Sequence, residues 1–212
     1  PIYGMPVLLK DNINALPMVT TAGAAAFSDN VPQSDAFLVK QLKDKGALVL
    51  GKVNLSEWAY YFCQGCPVGY SAMGGQTLNP YGRRQFETGG SSSGSGVAVA
   101  ANYAVAAIGS ETSGSILSPS GKNSVVGLKP TIGAVSRSGV VPISSTLDTA
   151  GPMTKNVVDN AILLSAITGL DSKDSYSYAS QSIRFQGLDT IQMKGKRLGL
   201  IRNFAKDSLM QV

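Results

Sequence analysis

Met5 to Leu9 form an uninterrupted apolar run that stops abruptly at Lys10 and Asp11. A run this short, closed by polar residues, predicts a buried strand with a polar tip. Residues 11–34 carry Pro17, Thr20, Thr21, Gly23, Asp29, Asn30 and Pro32 and predict a loop. Ser34 is placed to cap a helix running to about Gly46, with Phe37, Leu38 and Leu42 on one face. Ala47–Leu50 predicts the next strand, and strand–helix–strand in that order predicts a parallel crossover. Asn54 followed three positions later by Glu57 resembles a capping box for a helix holding Trp58, Ala59 and Tyr60.

Beyond a glycine- and proline-rich stretch at 64–90, the pattern predicts a helix from near Ser93 carrying Val97–Ala101, and a buried strand over Ala104–Ile108. Short strands are predicted at Val125–Leu128 and Gly139–Val141, a helix at Val157–Thr168 and a late strand at Arg197–Ile201. Residues 171–190, rich in serine and aspartate, read as a linker or loop. There is no internal repeat. The whole predicts a single α/β domain over 1–212 with a mixed, largely parallel central sheet covered by helices. Pro1-Ile2-Tyr3-Gly4 reads like mid-domain sequence, and the domain is expected to be truncated at both ends.

Composition narrows the function classes. The charged fraction is 15% and the net charge +5, with six of the eighteen Lys and Arg after residue 180. That basic tail is not interleaved with stacking aromatics, so no nucleic-acid partner is expected. No apolar run reaches the roughly 18 residues of a membrane span, and no membrane partner is expected. Cys63 and Cys66 form a lone C-x-x-C. Zinc would need two further ligands, and the chain offers neither histidine nor a third cysteine, so no metal is expected. The two are read as ordinary thiols. A cytoplasmic setting is favoured over a periplasmic or secreted one, and the sequence does not specify an oligomeric state.

The absence of histidine matters most when set beside two Ser/Gly segments, Gly89-Gly90-Ser91-Ser92-Ser93-Gly94-Ser95-Gly96 and Gly109-Ser110-Glu111-Thr112-Ser113-Gly114-Ser115. A serine nucleophile needs a base, and without imidazole the chain can supply a lysine, a carboxylate or another serine as relay. Phosphate binding is the rival use of such loops. Residues 89–96 lack the lysine of a P-loop, and Val99 stands where a dinucleotide fingerprint needs its third glycine, so no cofactor is expected. Lys10, at the tip of an apolar run, either snorkels to solvent or is partly desolvated. To act as a base it must be neutral, which at pH 7 costs roughly 4–5 kcal/mol unless burial lowers its pKa.

Taken together, these segments resemble the amidase signature family. The resemblance rests on Gly89-Gly90-Ser91-Ser92-Ser93-Gly94-Ser95, Glu111-Thr112-Ser113-Gly114-Ser115-Ile116, Gly127-Leu128-Lys129-Pro130-Thr131 and Leu8-Leu9-Lys10-Asp11-Asn12-Ile13. Two further blocks, Leu50–Glu57 and Asp148–Met153, extend it from Pro1 to about Asp171. It implies a Ser–cisSer–Lys triad: Ser115 as nucleophile, Ser91 as bridging serine after a cis Gly90–Ser91 peptide, and Lys10 as base. The N–H groups of Thr112, Ser113, Gly114 and Ser115 would form the oxyanion hole. The implied activity is hydrolysis of a carboxamide or peptide amide through a serine acyl-enzyme, on a small-molecule or peptide amide.

Glu111, Leu117, Asn54–Ala59 and Leu8–Ala15 look like the bacterial peptide-amidase branch. Ser113 departs from the glycine common in the family and from the aspartate of that branch. One alternative is the A subunit of glutamyl-tRNA amidotransferase, which releases ammonia from glutamine with partner subunits. Another is an inactive, truncated or non-catalytic amidase-like domain.

Overall fold

The computed structural model describes residues 2–62, 65–179, 192 and 194–197. The elements in chain order are β1 (Pro6–Lys10), α1 (Phe37–Asp44), β2 (Leu48–Val53), β3 (Tyr70–Ser71), β4 (Gly75–Gln76), α2 (Ser93–Ala100), β5 (Ala106–Glu111), α3 (Leu117–Lys122), β6 (Val126–Gly127), β7 (Thr149–Thr154) and α4 (Val157–Ile167). The five-stranded sheet runs β2-β1-β5-β7-β6. β2, β1 and β5 are parallel, and β7 and β6 are antiparallel to their neighbours. This is the mixed, mostly parallel sheet that the hydrophobic pattern predicts. β3 and β4 form a separate small hairpin.

Alternation along the strands decides what faces the core. Val7 and Leu9 of β1 are fully buried and sit in register with Ala106 and Ile108 of β5. They join Leu38, Val39 and Leu42 of α1 and Leu163, Ala166 and Ile167 of α4 in one core. α2 packs on β1 and β5 through small residues. A Cβ at Gly94 would collide with the Asn54 carbonyl oxygen, and one at Gly109 would come within 2.8 Å of Ser92 Oγ. Glycine at these positions therefore lets α2 lie close against the strands. Because β1 and β5 run in parallel, Lys10 and the Ser110–Glu111 pair reach the same edge of the sheet. The carboxyl ends of parallel strands are where open α/β sheets place ligands.

Several local expectations change. The N-cap of α1 is Ala36 with no side-chain cap, rather than Ser34. The neighbouring Asp35 instead accepts from Leu16 N and Lys43 Nζ, drawing the polar residue away from the helix end. Asn54 and Glu57 form no capping box. Asn54 ties down the hairpin through Gly75 O, Thr77 Oγ1 and Ser71 Oγ, and Glu57 accepts from Ala72 N. The segment Glu57–Tyr60 is a distorted 3-10 turn in which Trp58, Ala59 and Tyr60 take φ of 48°, 52° and 70°. Non-glycine residues hold this left-handed region only where tertiary contacts impose it.

β5 starts two residues later than expected and runs on to Glu111. Val140 makes a single bridge to Ile13 rather than a strand. β7 and α3 are absent from the hydrophobic pattern because Gly151, Pro152 and Pro119 interrupt it. Pro119 is tolerated because the first turn of a helix leaves its N–H groups unpaired in any case.

Cys66 is disulfide-bonded, which replaces the expectation of two ordinary thiols. Within 171–190, residues 171–179 form turns, with Asp171 and Asp174 buried against the loop that holds Ser136 and Arg137. The strand expected at Arg197–Ile201 lies outside the described residues apart from Arg197.

Candidate active site

Lys10 ends β1 with no exposed surface. Its Nζ lies 2.7 Å from Ser91 Oγ, 2.9 Å from Ser110 Oγ and 3.2 Å from the Ser110 carbonyl oxygen. Among the described residues, no carboxylate bonds to it. Burial penalises its charged form and brings the pKa down to about 7, against a smaller upward pull from the Glu111 and Asp148 carboxylates. The sequence left snorkelling and desolvation open for this lysine; the tertiary structure places it in the desolvated class.

Ser91 follows a cis Gly90–Ser91 peptide and is fully buried. Its carbonyl accepts from Ser56 N at 3.0 Å. The next residue ties the two Ser/Gly segments together. Ser92 N donates to the Ser115 carbonyl at 3.1 Å, while Ser92 Oγ donates to the Ser110 carbonyl and accepts from Ser110 N. These bonds bring Ser91 and Ser115, 24 positions apart, to one place. Among the described residues, the Ser115 hydroxyl makes no hydrogen bond to Ser91. Ser115 instead lines a 310 Å³ cleft with Gly90, Tyr60, Ser113, Gly114 and Ser118.

The turn before Ser115 is held at both ends by carboxylates. Glu111 accepts from Ile116 N at 2.7 Å and Leu117 N at 2.9 Å, closing the loop on itself and placing negative charge at the start of α3. Asp148 accepts from Thr112 Oγ1 at 2.5 Å and also from Ile143 N and Ser144 N. Between these anchors, none of the N–H groups of Thr112, Ser113, Gly114 and Ser115 donates to another described protein group. Gly114 carries the left-handed residue of the turn at φ 83°. Ser113 is exposed and is not among the residues with positive φ, so its side chain costs the turn no backbone strain.

The structure therefore assembles Lys10 and Ser91 directly and brings Ser115 and the four N–H groups to the adjoining loop. Sequence reasoning assigned no role to two residues that belong here. Ser110 supplies two of the three oxygens around Lys10 Nζ, and Asn12 Nδ2 donates to Ser110 Oγ at 2.9 Å. Both stand inside segments singled out by their spacing. Nothing local to those segments marks them, because their partner is on another strand.

The Amidase family model matches residues 1–211. Among curated proteins, a probable amidase of Arabidopsis thaliana is 45% identical over 206 residues, covering 94% of this chain and 40% of its own length. The A subunit of the glutamyl-tRNA(Gln) amidotransferase of Akkermansia muciniphila is 43% identical over 200 residues, covering 94% of this chain and 41% of its own length. Among solved structures, the native peptide amidase of Stenotrophomonas maltophilia superposes with a TM-score of 0.82 at 54% identity, over 87% of this chain and 38% of that one. The A subunit of the glutamyl-tRNA(Gln) amidotransferase of Thermotoga maritima gives 0.74 at 40% identity, over 84% of this chain and 38% of that one. The chain thus spans about two fifths of the length of these relatives. With a match that runs almost from end to end, the chain belongs to the Amidase family.

Proposed function

We propose that this protein is an amide hydrolase acting through a serine acyl-enzyme, with Ser115 as nucleophile, Ser91 as relay and Lys10 as base. The observation that carries the reading is the buried contact between Lys10 Nζ and Ser91 Oγ at 2.7 Å, on a lysine whose pKa falls to about 7. A neutral amine has one lone pair and two N–H groups. The Ser110 carbonyl can only accept, so it takes one N–H; with the second N–H on Ser110 Oγ, the lone pair is left to face Ser91.

On substrate binding the Ser115 hydroxyl turns toward Ser91, a contact that tightens when the complex forms. Ser115 Oγ attacks the amide carbonyl, forming the C–O bond. Its proton passes to Ser91, whose own proton passes to Lys10. The N–H groups of residues 112–115 donate to the oxyanion, and as backbone donors they need no reorganisation to do so. Collapse breaks the C–N bond. The leaving nitrogen takes a proton from Ser91, which recovers one from the Lys10 ammonium. Water then repeats the sequence on the ester and restores the free enzyme.

The greater identity to the peptide amidase than to the amidotransferase relatives supports hydrolysis of a peptide or small carboxamide. A fluorophosphonate probe should label the protein at Ser115 and fail to label Ser115→Ala. Labelling that persists in Ser115→Ala would assign the nucleophile elsewhere. Ammonia release that requires glutamine and added partner proteins would favour the amidotransferase reading.

A further inference from the structure

Asn12 takes no part in the proton transfers set out above, yet it is firmly held beside them. Ile13 N donates to the Lys10 carbonyl at 3.0 Å, which folds the chain back over the end of β1. Val141 N donates to the Asn12 carbonyl at 2.8 Å, and Ile13 bridges to Val140. The side chain then reaches across to β5, where its Nδ2 donates to Ser110 Oγ at 2.9 Å. The residue is only 5% exposed, and the other end of its amide, Oδ1, makes no hydrogen bond among the described residues. A buried amide oxygen without a partner costs free energy, and a leucine of similar size would not incur that cost. The one compensating side-chain contact is at the N–H end.

That end meets an oxygen on which the charge of Lys10 depends. A serine hydroxyl has two lone pairs. One lone pair of Ser110 Oγ takes the Asn12 N–H, which leaves one for Lys10 Nζ at 2.9 Å. Without Asn12 both would be open to an ammonium. The positive end of the amide dipole also faces the hydroxyl that contacts Nζ. Both effects weaken the support that Ser110 gives an ammonium and matter less to a neutral amine. They act in the same direction as the burial that brings this lysine down to about 7. We propose that Asn12 is a positioning residue that acts through Ser110 to keep Lys10 in its uncharged, proton-accepting form. This rests on the reading of Lys10 as base.

The charged groups around the pair are few. Around Lys10 they are Asp11, paired with Lys52 of β2 at 3.0 Å, Glu111 at the end of β5 and Asp148 just before β7. On the cavity wall beside Asn12 they are Lys173 and Arg137, the latter paired with Asp174. α2 and β7 carry no charged residue. None of these groups bonds to the Asn12 side chain among the described residues, so the bonded route from Asn12 to Lys10 runs through Ser110.

The test is the pH dependence of Ser115 labelling by a fluorophosphonate probe, which reports activation of the nucleophile whatever the amide substrate. For the unaltered protein the labelling rate should rise with pH to a midpoint near 7. Asn12→Leu should move that midpoint up by about one pH unit, and so lower the rate about tenfold at pH 6. Asn12→Asp, which sets a carboxylate in place of the N–H, should move it further in the same direction. Ser110→Ala should move it the opposite way. The urea midpoint of Asn12→Leu should be unchanged or raised, since the unpaired oxygen is gone. A labelling midpoint unmoved in Asn12→Leu and Asn12→Asp, with or without a fall in the urea midpoint, would overturn the role of Asn12 and leave Lys10 as base. A shift in the direction of Ser110→Ala would do the same. Labelling at Ser115 that does not rise with pH in the unaltered protein would overturn the reading of Lys10 itself.

Discussion

Lys10, at the end of β1, and Arg137, in the loop facing residues 171–179, are both cations drawn out of water, and their neighbours drive them in opposite directions. Lys10 meets three neutral oxygens and loses its hydration, so its pKa drops to about 7. Arg137 meets a carboxylate. Its Nε and Nη2 bond the two oxygens of Asp174 at 2.9 and 2.5 Å, its Nη1 donates to the Ser145 carbonyl, and its guanidinium lies 4.4 Å from the Tyr176 ring centroid. The hydrogen bonds to Asp174 raise the Arg137 pKa, and those from Arg137 hold the Asp174 carboxyl near 2. Burial alone therefore does not set the direction of the shift. A buried cation has its pKa lowered when its partners are hydroxyls and carbonyls, and held up when they include a carboxylate.

The widest separation between the two regions is in chemistry. Ser115→Ala should abolish amide hydrolysis, a loss of at least about 10⁴-fold in kcat, as for removal of a nucleophile that acts as part of a unit. Lys10→Arg keeps a cation that cannot deprotonate and should reduce turnover nearly as far, whereas Arg137→Lys should leave the acylation chemistry in place. Steady-state kinetics on one amide substrate compares all three.

The next effect is in stability, with opposite pH windows. The folded pKa of Lys10 lies below its ordinary value of 10.5. The penalty for burying it is full below about pH 7 and is relieved as the pH rises from there to 10.5. Lys10→Met should therefore lose its stability advantage over the unaltered protein across that window, by the order of 4 kcal/mol. For Asp174 the folded pKa is depressed from 3.8 to about 2. Its contribution, about 2 kcal/mol, is complete above 3.8 and is lost as the pH falls through 2. Asp174→Ala leaves the guanidinium without its carboxylate and should cost about 3 kcal/mol at neutral pH. Urea denaturation at a series of pH values checks each.

Two smaller changes refine the contrast. kcat should rise with pH through about 7 as Lys10 loses its proton. Ser110→Ala removes an oxygen that accepts from the ammonium form, so the midpoint of that profile should move to lower pH, with about a tenfold loss of rate. Gly114→Ala meets open space but must hold φ at 83°. It should cost about 1 kcal/mol of stability, read as a shift in the urea midpoint.

Much of this was legible in the chain. Val7, Leu9, Leu38, Leu42, Leu163 and Ile167 announce their elements because periodicity is a local property and these residues face the core. β7 and α3 were not legible. Pro152 and Pro119 contradict the local rules, and only pairing with β5 and β6, or a place in a first helical turn, makes them acceptable. The capping box expected at Asn54 failed for a related reason: its side chain found three partners in the β3–β4 hairpin, which its own segment does not reveal.

Residue order alone was enough to limit the chemistry. A chain with no histidine, two Ser/Gly segments and a lysine closing an apolar run narrows serine chemistry to a lysine, a carboxylate or a second serine as base or relay. It also marked Lys10 and Ser115 as candidates, and the resemblance carried by the contiguous motifs added Ser91. Whether Lys10 would be neutral or charged could not be read from position, since a pKa depends on what surrounds a group in three dimensions. The parallel pairing of β1 with β5, the close seating of α2 and the Ser110 and Asn12 contacts decided that. They removed water from the ammonium and set hydroxyls, rather than a carboxylate, against it.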